Sequence, residues 1–448
     1  MRPLEAWLAA GVDTLNSMPD PGRQAVAVIS VHASPLSELG RGENGGMNLA
    51  IRRVCEGLAE RGVPTDVFVR RDDRSAPDEQ LIAPGSRLVR LPVGPPAPIP
   101  KAEVRRLCDD FAAAVVRHAR SEGRRYRIVH AHYWHAGLVA EQLRSSWDVP
   151  WVQSFHTLAR TKARAGLPLE EDRAEAEAAL VENADRLVAA SVSEAKDLIR
   201  LYRAPRDRIC VAQPGVDLRL FEPRDTSAVR RSLGLDGNRV VFFAGRLEPL
   251  KGADTLLEAA QRLVERPEFA DLTLLVAGDD SQDGSHGDGE RARLQRSAEE
   301  GSLAGRVRFL GAVPHEQLPD LYALAEVCVV PSRTESFGFV ALEAQALGTP
   351  VVAAAVGGLT EVVEDGVTGV LVPGRDASRW ADAIASVLSD PERRGAMGEA
   401  ARQRATTFTW ARAVERVGAI YARLSGEATP SAEPCGYDDE AVELLRAG

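Results

Sequence analysis

The chain has 448 residues, of which 44% are hydrophobic, 27% charged and 5% aromatic, and this balance excludes a disordered, collagen-like or small disulfide-stapled protein. Its 55 Lys and Arg against 65 Asp and Glu give a net charge of −10, which excludes a general electrostatic attraction to nucleic acid or to an anionic membrane. The length suits two large α/β domains of about 200 residues each.

Three features predict a cytoplasmic protein. No apolar run approaches the ~18 residues that a membrane-crossing helix needs. Residues 1–24, a predicted N-terminal extension, lack the basic segment followed by an apolar segment that a secretory signal has. The five cysteines are scattered, none lies in a C-x-x-C pair, and we expect all to be reduced: Cys55, Cys108, Cys210, Cys328 and Cys435.

Short β-branched apolar runs alternate with long helical stretches, which is typical of parallel sheets covered by helices on both faces. A first series of strands is predicted at Val26 to Val31, Thr65 to Val69, Arg87 to Leu91, Tyr126 to Ala131, Trp151 to Ser154, Arg186 to Ala190 and Arg208 to Val211. A second series is predicted at Arg239 to Ala244, Leu272 to Ala277, Val307 to Leu310, Val327 to Val330, Pro350 to Ala354 and Gly369 to Val372. A proline-bounded linker at 213–223 separates domains predicted at 25–212 and 224–408.

The segment Gly40-Arg-Gly-Glu-Asn-Gly45 matches the pattern G-x-G-x-x-G, but it starts nine residues after the first strand. The second strand is followed by Arg70 and Arg71 instead of an acidic residue, so a nicotinamide dinucleotide site is disfavoured. The glycines instead suggest a loop whose backbone N–H groups, from Gly45 to Asn48, begin a helix and meet an anionic ligand. A surface loop that merely caps the helix is the alternative.

In the second half, the strand ending at Ala244 runs directly into Gly245-Arg-Leu-Glu-Pro-Leu-Lys-Gly252, and a helix follows. Open α/β sheets bind ligands at the carboxyl ends of their strands, and this loop places the cations of Arg246 and Lys251 there. A diphosphate is the natural ligand for such a pair. Solvated charges without a ligand are the alternative.

The stretch Glu335-Ser-Phe-Gly-Phe-Val-Ala-Leu-Glu343 follows another buried strand. Ser336 is predicted to be the N-cap of a helix that runs to Leu347. Glu335 would then lie at the positive helix end, and Glu343 about two turns along the helix. Two carboxylates so spaced suit an extended ligand with hydroxyl groups at both ends, whereas a capped helix with one buried glutamate is the alternative.

Histidines close two neighbouring strands of the first domain. His130 and His132 precede Tyr133 at the end of one strand, and His156 precedes Thr157 at the end of the next. Because adjacent parallel strands aim such residues into one cleft, we expect a polar substrate site, although each histidine alone fits a structural role. The spacing lacks the H-x-x-x-H helix pair of a zinc site, and no G-x-S-x-G or P-loop motif is present.

These motifs, with the Gly-Thr-Pro that follows Leu347 and the turn Val356-Gly-Gly358, resemble retaining glycosyltransferases of family 4. The resemblance extends from about Val26 to Leu424. It implies the α/β fold called GT-B, in which two Rossmann-like, doubly wound domains face each other across a cleft. It also implies that a helix at 409–424 crosses back to the first domain, followed by a tail at 425–448.

Within that family the chain is most similar to the mycothiol-pathway branch, which moves N-acetylglucosamine from UDP to inositol phosphate. Matching segments include Ser30 to Leu36 and Leu180 to Asp185. The resemblance implies three sets of site residues: catalytic His156, Glu335, Arg246 and Lys251; donor-binding Gly46, Asn48, Arg246, Lys251, Glu335, Ser336, Phe337, Gly338 and Glu343; and acceptor-binding His32, Lys101, His132, Tyr133, Thr157 and Arg173.

The chain departs from that branch on the acceptor side. His135 replaces an apolar residue, the proline-rich loop Val93 to Pro100 precedes Lys101, and the arginine expected near Ala174 is matched only by Arg173. A specialised-metabolism paralogue is therefore an alternative, such as the lincomycin-pathway enzyme that joins a nucleotide-activated octose to ergothioneine. A nucleotide-sugar epimerase and a non-catalytic sugar-nucleotide binding protein are remote alternatives.

The resemblance also implies how the reaction runs and what it needs. The acceptor would attack the sugar on the face from which the nucleotide leaves, with retention of configuration. A nucleotide sugar carrying UDP or GDP is the co-substrate, and we expect no cofactor and no essential divalent metal. Expected partners are the small-molecule donor and acceptor and, as a homodimer, a second copy of the chain, but neither nucleic acid nor a stably inserted membrane.

Overall fold

The structure is a computed structural model that describes residues 25–40, 44–280 and 289–427. The N-terminal extension predicted at 1–24 and most of the predicted tail at 425–448 lie outside these residues. The Gly/Asp/Ser-rich stretch at 281–288 also lies outside them.

Eight strands form the sheet of the first domain, in the order β3-β4-β2-β1-β5-β6-β7-β8. All neighbours are parallel except β3, which runs antiparallel to β4 at the edge. The alternation of β-branched runs with helices predicts the parallel part, because each parallel connection needs a crossover. The strands are β1 (Ala25–Ile29), β2 (Thr65–Arg70), β3 (Glu79–Ala83), β4 (Ser86–Leu91), β5 (Tyr126–His132), β6 (Trp151–Ser154), β7 (Arg186–Ala189) and β8 (Ile209–Val211).

The edge strand β3 is absent from the predicted strands, and its exposure explains why. Its first three residues, Glu79 to Leu81, are exposed, so the strand lacks the continuous apolar run of a buried parallel strand. Its pairing depends on the turn at Gly85 and on the neighbouring β4, not on its own composition. Sequence patterning therefore did not predict this strand.

Six parallel strands form the second sheet, in the order β11-β10-β9-β12-β13-β14. Five of them begin at the predicted residue and β13 begins one residue later than predicted, and β12 pairs with both β9 and β13. The strands are β9 (Arg239–Ala244), β10 (Leu272–Ala277), β11 (Val307–Gly311), β12 (Val327–Val330), β13 (Val351–Ala354) and β14 (Gly369–Val372). The order reverses between β9 and β12, which is where open sheets bind ligands.

Helices cover both faces of each sheet, so the predicted GT-B architecture of two doubly wound domains is confirmed. Within the described residues no helix is both long and apolar enough to cross a membrane. The helices are α1 (Gly46–Glu60), α2 (Lys101–Val104), α3 (Cys108–Ser121), α4 (Trp134–Trp147), α5 (Ala159–Arg164), α6 (Glu171–Asn183), α7 (Val192–Tyr202), α8 (Ser227–Ser232), α9 (Ala253–Val264), α10 (Glu290–Glu299), α11 (Leu318–Leu324), α12 (Phe339–Ala346), α13 (Leu359–Val362), α14 (Ala377–Leu388), α15 (Pro391–Ala405) and α16 (Trp410–Leu424).

The cysteines differ in state. Cys55, Cys108 and Cys328 are buried free thiols, and burial raises the pKa of Cys55 and of Cys108 to about 12. Cys210 at the end of the first sheet is disulfide-bonded. The expectation that all five cysteines are reduced is therefore wrong for Cys210, because spacing along the chain does not show which thiols meet in space.

The last helix, α16, returns to the first domain as predicted and packs on α1. Val414 of α16 lies against Gly57 of α1, where an added Cβ atom would come within 2.5 Å of its Cγ2 atom. Further along the same helix, the Tyr421 hydroxyl lies 2.6 Å from His130 Nδ1 on β5. The helix thus ties the second domain to the strand that carries the predicted substrate histidines.

We expect Gly57→Ala to lower the free energy of unfolding by about 1–2 kcal/mol, because the new methyl group would collide with Val414. Gly418→Ala is the matched control in the facing helix, since its Cβ atom would lie 3.9 Å from Leu58, and helix propensity favours alanine. Urea unfolding of both variants measures the difference. Equal stability of the two variants would show that the helices do not approach as described.

Candidate active site

A cavity of about 330 Å³ lies between the carboxyl ends of the two sheets. Loops that follow β1, β5 and β6 line one wall, and loops that follow β9, β10 and β12 line the other. The predicted site residues on its lining are Gly46, His132, His156, Thr157, Arg246, Lys251, Glu335, Ser336, Phe337 and Glu343. Six others are not part of this lining: His32, Asn48, Lys101, Tyr133, Arg173 and Gly338.

The loop after β9 is held by an unusually close backbone approach. Gly278 follows β10, and a Cβ atom there would lie 1.8 Å from the carbonyl oxygen of Gly245, so no larger residue fits. Both glycines have positive φ, 144° and 150°. This contact fixes the start of the loop, and the next side chain, Arg246, contacts Glu248 with 3.0 Å between its NH2 atom and Oε1.

Lys251 ends a short 3₁₀ turn in the same loop and pairs with Glu335, which follows the neighbouring strand β12. Its Nζ atom lies 2.8 Å from Glu335 Oε2, and both side chains are partly exposed to the cavity. The Glu335 backbone is braced from behind, since its carbonyl accepts the N–H of Gly358 at 2.9 Å. The structure therefore brings the predicted diphosphate-binding cations and Glu335 onto one wall.

The helix after β12 begins later than predicted. It spans Phe339–Ala346, and Gly338, with φ of 116°, occupies the N-cap position instead of Ser336. The Ser336 hydroxyl instead donates to the backbone carbonyl of His156 in the other domain. A serine in this pattern favours an N-cap only when no tertiary partner competes for its hydroxyl group, and here the facing domain supplies one.

The late helix start also changes the relation of the two glutamates. Glu335 lies three residues before the N-cap Gly338 instead of directly before it, so Glu343 is only about one turn into the helix and not two as predicted. Glu343 is buried in α12 and receives two hydrogen bonds, from His315 Nε2 at 2.7 Å and from the Tyr322 hydroxyl at 3.0 Å. Burial alone would lower the pKa of His315, but the bond to Glu343 and its negative charge raise it.

Buried histidines form a stacked array on the opposite wall. His132 Nδ1 lies 2.9 Å from His156 Nε2, and the ring of His130 lies 4.2 Å from that of His132, centre to centre. His130 Nε2 contacts the Ser154 hydroxyl at 2.9 Å. Burial lowers the pKa of His130 to about 3 and that of His156 to about 4, so both rings are neutral near pH 7.

His156 of this array and the neighbouring Tyr133 have strained backbones. His156 has φ of 62°, and Tyr133 combines φ of 76° with ψ of 163°, a region that non-glycine residues rarely adopt. The Tyr133 N–H donates to the carbonyl of Ser154 at 2.8 Å, which helps to hold the conformation. Such strain typically accompanies functional positions, and here it turns the ends of β5 and β6 into the cavity.

The predicted acceptor residues meet beside the array. Arg173 NH2 donates to the Thr157 hydroxyl at 2.9 Å and to the Thr157 carbonyl at 2.8 Å, and its guanidinium group lies 4.9 Å from the centre of the Tyr133 ring. Glu177 balances its charge, with 2.7 Å between Arg173 Nε and Glu177 Oε1. Arg173 therefore contacts two other predicted acceptor residues, Thr157 and Tyr133.

Asn48 and His32 have neighbours that the sequence did not indicate. Asn48 Oδ1 accepts the N–H of Gly45 and its amide group donates to the carbonyl of Ser34 at 2.7 Å, so it fastens the start of α1. The His32 ring packs against Tyr133, with 4.8 Å between ring centres. Gly46 approaches the second domain, because a Cβ atom there would lie 2.5 Å from the Phe339 ring.

Sequence reasoning missed several polar residues of the site. His315, Tyr322 and Glu248 follow strands of the second domain, and Lys162 and Glu194 lie on helices of the first. Burial and the nearby charge of Arg173 lower the pKa of Lys162, so this cation acts close to Arg173. Of these residues, only Lys162 could have been found from the sequence. It lies five residues after Thr157, about one turn into the following helix, so its position indicates that it lies near the predicted acceptor residues.

Two family models match the chain. The model described as Glycosyltransferase Family 4 matches residues 44–220, and the one described as Glycosyl transferases group 1 matches residues 225–404. A D-inositol 3-phosphate glycosyltransferase from Thermobispora bispora is 40% identical over 404 residues, which cover 88% of this chain and 94% of that protein. The chain belongs to glycosyltransferase family 4. A protein of the same name from Geodermatophilus obscurus is 43% identical over 410 residues, covering 90% of each chain.

Solved structures agree with this family 4 assignment. A sucrose-phosphate synthase from Thermosynechococcus elongatus superposes with a TM-score of 0.83 at 34% identity, covering 91% of this chain and 100% of the other. HepE from Anabaena, in complex with UDP and glucose, has a TM-score of 0.70 at 22% identity, covering 88% and 98%, and this likeness supports the fold alone.

His135 offers a test of how burial governs this family 4 site. The ring is almost fully buried among aromatic neighbours, and neither ring nitrogen has a hydrogen-bond partner in the described part of the chain. Burial lowers its pKa to about 3. The unfolded chain therefore binds a proton below about pH 6.5 that the folded chain refuses, so stability falls as the pH drops from 6.5 toward 3.

We expect His135→Leu to remove this contribution, worth about 1–2 kcal/mol at pH 5 relative to pH 7. The free energy of unfolding, measured in urea at both pH values, should then change less with pH in the variant than in the wild type. The remaining slope reports the other buried histidines. An unchanged difference between the two pH values would contradict the burial of a neutral ring at this position.

Proposed function

We propose that the protein transfers a sugar from a nucleoside diphosphate sugar to a small, hydroxylated, anionic acceptor of the inositol phosphate class, with retention of configuration. The observation that carries this proposal is that cationic groups stand at both walls of one cavity. Arg246 and Lys251 line the wall of the second domain, and in the first domain Arg173 donates to the hydroxyl group of Thr157, which lines the facing wall. The charge of Arg173 also acts on Lys162. The printed names of the relatives support the same substrate class.

The second domain offers cations for the diphosphate of the donor and carboxylates for its hydroxyl groups. A diphosphate would replace the carboxylates that now pair with Arg246 and Lys251, namely Glu248 and Glu335. The freed Glu335 could then accept hydroxyl groups of the transferred sugar, while Glu343, already oriented by Tyr322, would accept those of the ribose. Fixed cations beside the leaving diphosphate stabilise the charge that develops as the glycosidic bond breaks.

The acceptor fits the first domain. Burial and the nearby charge of Arg173 lower the pKa of Lys162, with Lys101 contributing in the same direction. An anion bound here would relieve this repulsion between cations, which favours a phosphorylated acceptor over a neutral one. Arg173 donates to the Thr157 hydroxyl and its guanidinium group lies over the Tyr133 ring, so its charge is held in position by two contacts.

The reaction needs no protein nucleophile in this scheme. His156, a neutral ring next to His132, would contact the donor sugar, and the departing phosphate oxygen would accept the proton of the attacking acceptor hydroxyl. The positive charge of Arg246 and Lys251 takes the part that a divalent cation has in other sugar transferases. We therefore propose catalysis without a metal or other cofactor.

The donor half of the proposal predicts that Lys251→Ala lowers turnover by a factor on the order of 10²–10³, since it removes one fixed charge beside the leaving group. In the wild type, UDP or GDP at 100 times its dissociation constant should add about 2.7 kcal/mol of stability, and the variant should lose most of this thermal shift. Lys196→Ala on α7 makes the same charge change away from the cavity lining and is the control.

Near-normal turnover of Lys251→Ala would contradict the assigned role. The same assay separates a transferase from an epimerase: product formed from the nucleotide sugar alone, with no acceptor present, would indicate epimerisation and refute transfer.

The acceptor half predicts a difference between charged and neutral acceptors. Lys162→Ala should raise the KM for myo-inositol 1-phosphate at least tenfold, because one cation of the group is lost, and should leave the KM for the donor within twofold. Turnover of neutral myo-inositol, measured by mass spectrometry, should change little. If Lys162→Ala impairs the reaction equally with both acceptors, the proposal that the acceptor phosphate binds beside Arg173 is wrong.

A further inference from the structure

A second cavity of about 310 Å³ lies between the two domains beside the first. Helices α5 and α7 form its wall in the first domain, and the loops at 333–336 and 355–357 form its wall in the second. It shares Glu194, Glu335 and Ser336 with the lining of the first cavity. The two cavities therefore meet at these three residues, next to the carboxylate to which the proposed function assigns the donor sugar.

Two buried polar atoms on this lining lack a hydrogen-bond partner in the described part of the chain. They are Glu194 Oε1 and Arg333 Nε, and the Glu194 residue is only 6% exposed. The other Glu194 oxygen accepts the N–H of Ala190 at 2.6 Å, so the carboxyl group is held in place with one oxygen unpaired. Buried polar atoms without partners cost about 1–3 kcal/mol each, and a ligand that pairs with them recovers this cost.

The charges around the cavity indicate the chemistry of that ligand. Arg164 pairs with Asp197 at 2.7 Å and Arg333 NH2 with Asp254 at 3.3 Å, so neither cation is left to attract an anion. Burial, together with the charges of Asp197 and Glu361, raises the pKa of Glu194 to about 7. Near neutral pH this carboxyl group both donates and accepts hydrogen bonds, whereas Arg333 Nε only donates. A hydroxyl group can pair with either of them, because it is both a donor and an acceptor.

We propose that this cavity receives a neutral, hydroxyl-bearing substituent on the edge of the donor sugar that faces Glu335. The inference rests on the proposed function, because it places the sugar ring at that glutamate. A volume of about 310 Å³ is at the lower end of the range for ligand sites, about 300–1,000 Å³, and far exceeds the ~30 Å³ of one water molecule. The protein then accepts donors larger than an unsubstituted hexose.

The test compares donors that differ only in a substituent. Calorimetry would measure the binding of UDP-glucose, GDP-glucose and their derivatives carrying a 2-hydroxyethyl ether at O3, O4 or O6. We expect at least one derivative to bind the wild type within threefold of its parent or more tightly. Ala165→Phe, which fills the cavity from α5's carboxyl end, should weaken that derivative at least tenfold and leave the parent within twofold.

Ala163→Phe introduces the same ring two residues earlier, outside the lining of this cavity, and is the matched control. If every derivative binds the wild type more than threefold more weakly than its parent, the cavity does not extend the sugar site and the inference is wrong. Binding of free myo-inositol that Ala165→Phe abolishes would also overturn it, because the cavity would then serve a separate polyol. If neither UDP nor GDP binds at all, the proposed function fails instead.

Discussion

The cavity depends on how the chain holds its two domains face to face. The polypeptide passes between them twice, at the linker near Gly215 and at the start of α16, and these passages touch: a Cβ atom on Gly215 would lie 2.2 Å from the Trp410 nitrogen. The N–H of Val216 also donates to the carbonyl of Phe408 at 3.1 Å. Because the two crossings are bonded to each other, they act as one joint, and the packing of α16 on α1 limits its movement.

Hydrogen bonds between the two domains involve residues at the ends of helices and strands. The Glu361 carboxylate accepts the N–H groups of Val192 and Ser193 at 3.0 and 2.8 Å, where α7 of the first domain begins. A helix N-terminus favours negative charge, so this acid of the second domain is bound by the backbone of the first. The Ser336 contact with the His156 carbonyl adds a second such link. The Glu361 carboxylate and the Ser336 hydroxyl thus hold the two walls of the active site in position relative to each other.

Two kinds of polar group line the cavity, and they respond differently to a substrate. The cations of Arg246 and Lys251 are paired with nearby carboxylates and partly exposed, so a diphosphate can exchange for those partners at modest cost. His130 is buried and neutral, and the hydroxyl groups of Ser154 and Tyr421 hold its ring. Its position cannot change without breaking buried hydrogen bonds, which makes that wall the rigid side of the site.

The parallel strands, the return of α16 and the grouping of the site residues could be predicted from the sequence. Buried parallel strands are continuous apolar runs, and the motifs at Gly245 and Glu335 resemble those of a known family. Both signals are local. They require no knowledge of which distant residues meet. Most predicted strand ends in both sheets therefore lie within one or two residues of the observed ends.

Tertiary structure decided what depends on distant partners. The edge strand β3 exists because β4 offers it a pairing edge, and α12 begins at Phe339 because the hydroxyl of Ser336 binds the opposite domain. The bonds of Glu343 to His315 and Tyr322 and the disulfide at Cys210 likewise join residues that no spacing relates. Residue type and periodicity determine which segments are strands, helices and site loops, whereas the partner of each polar group is set only when the domains pack.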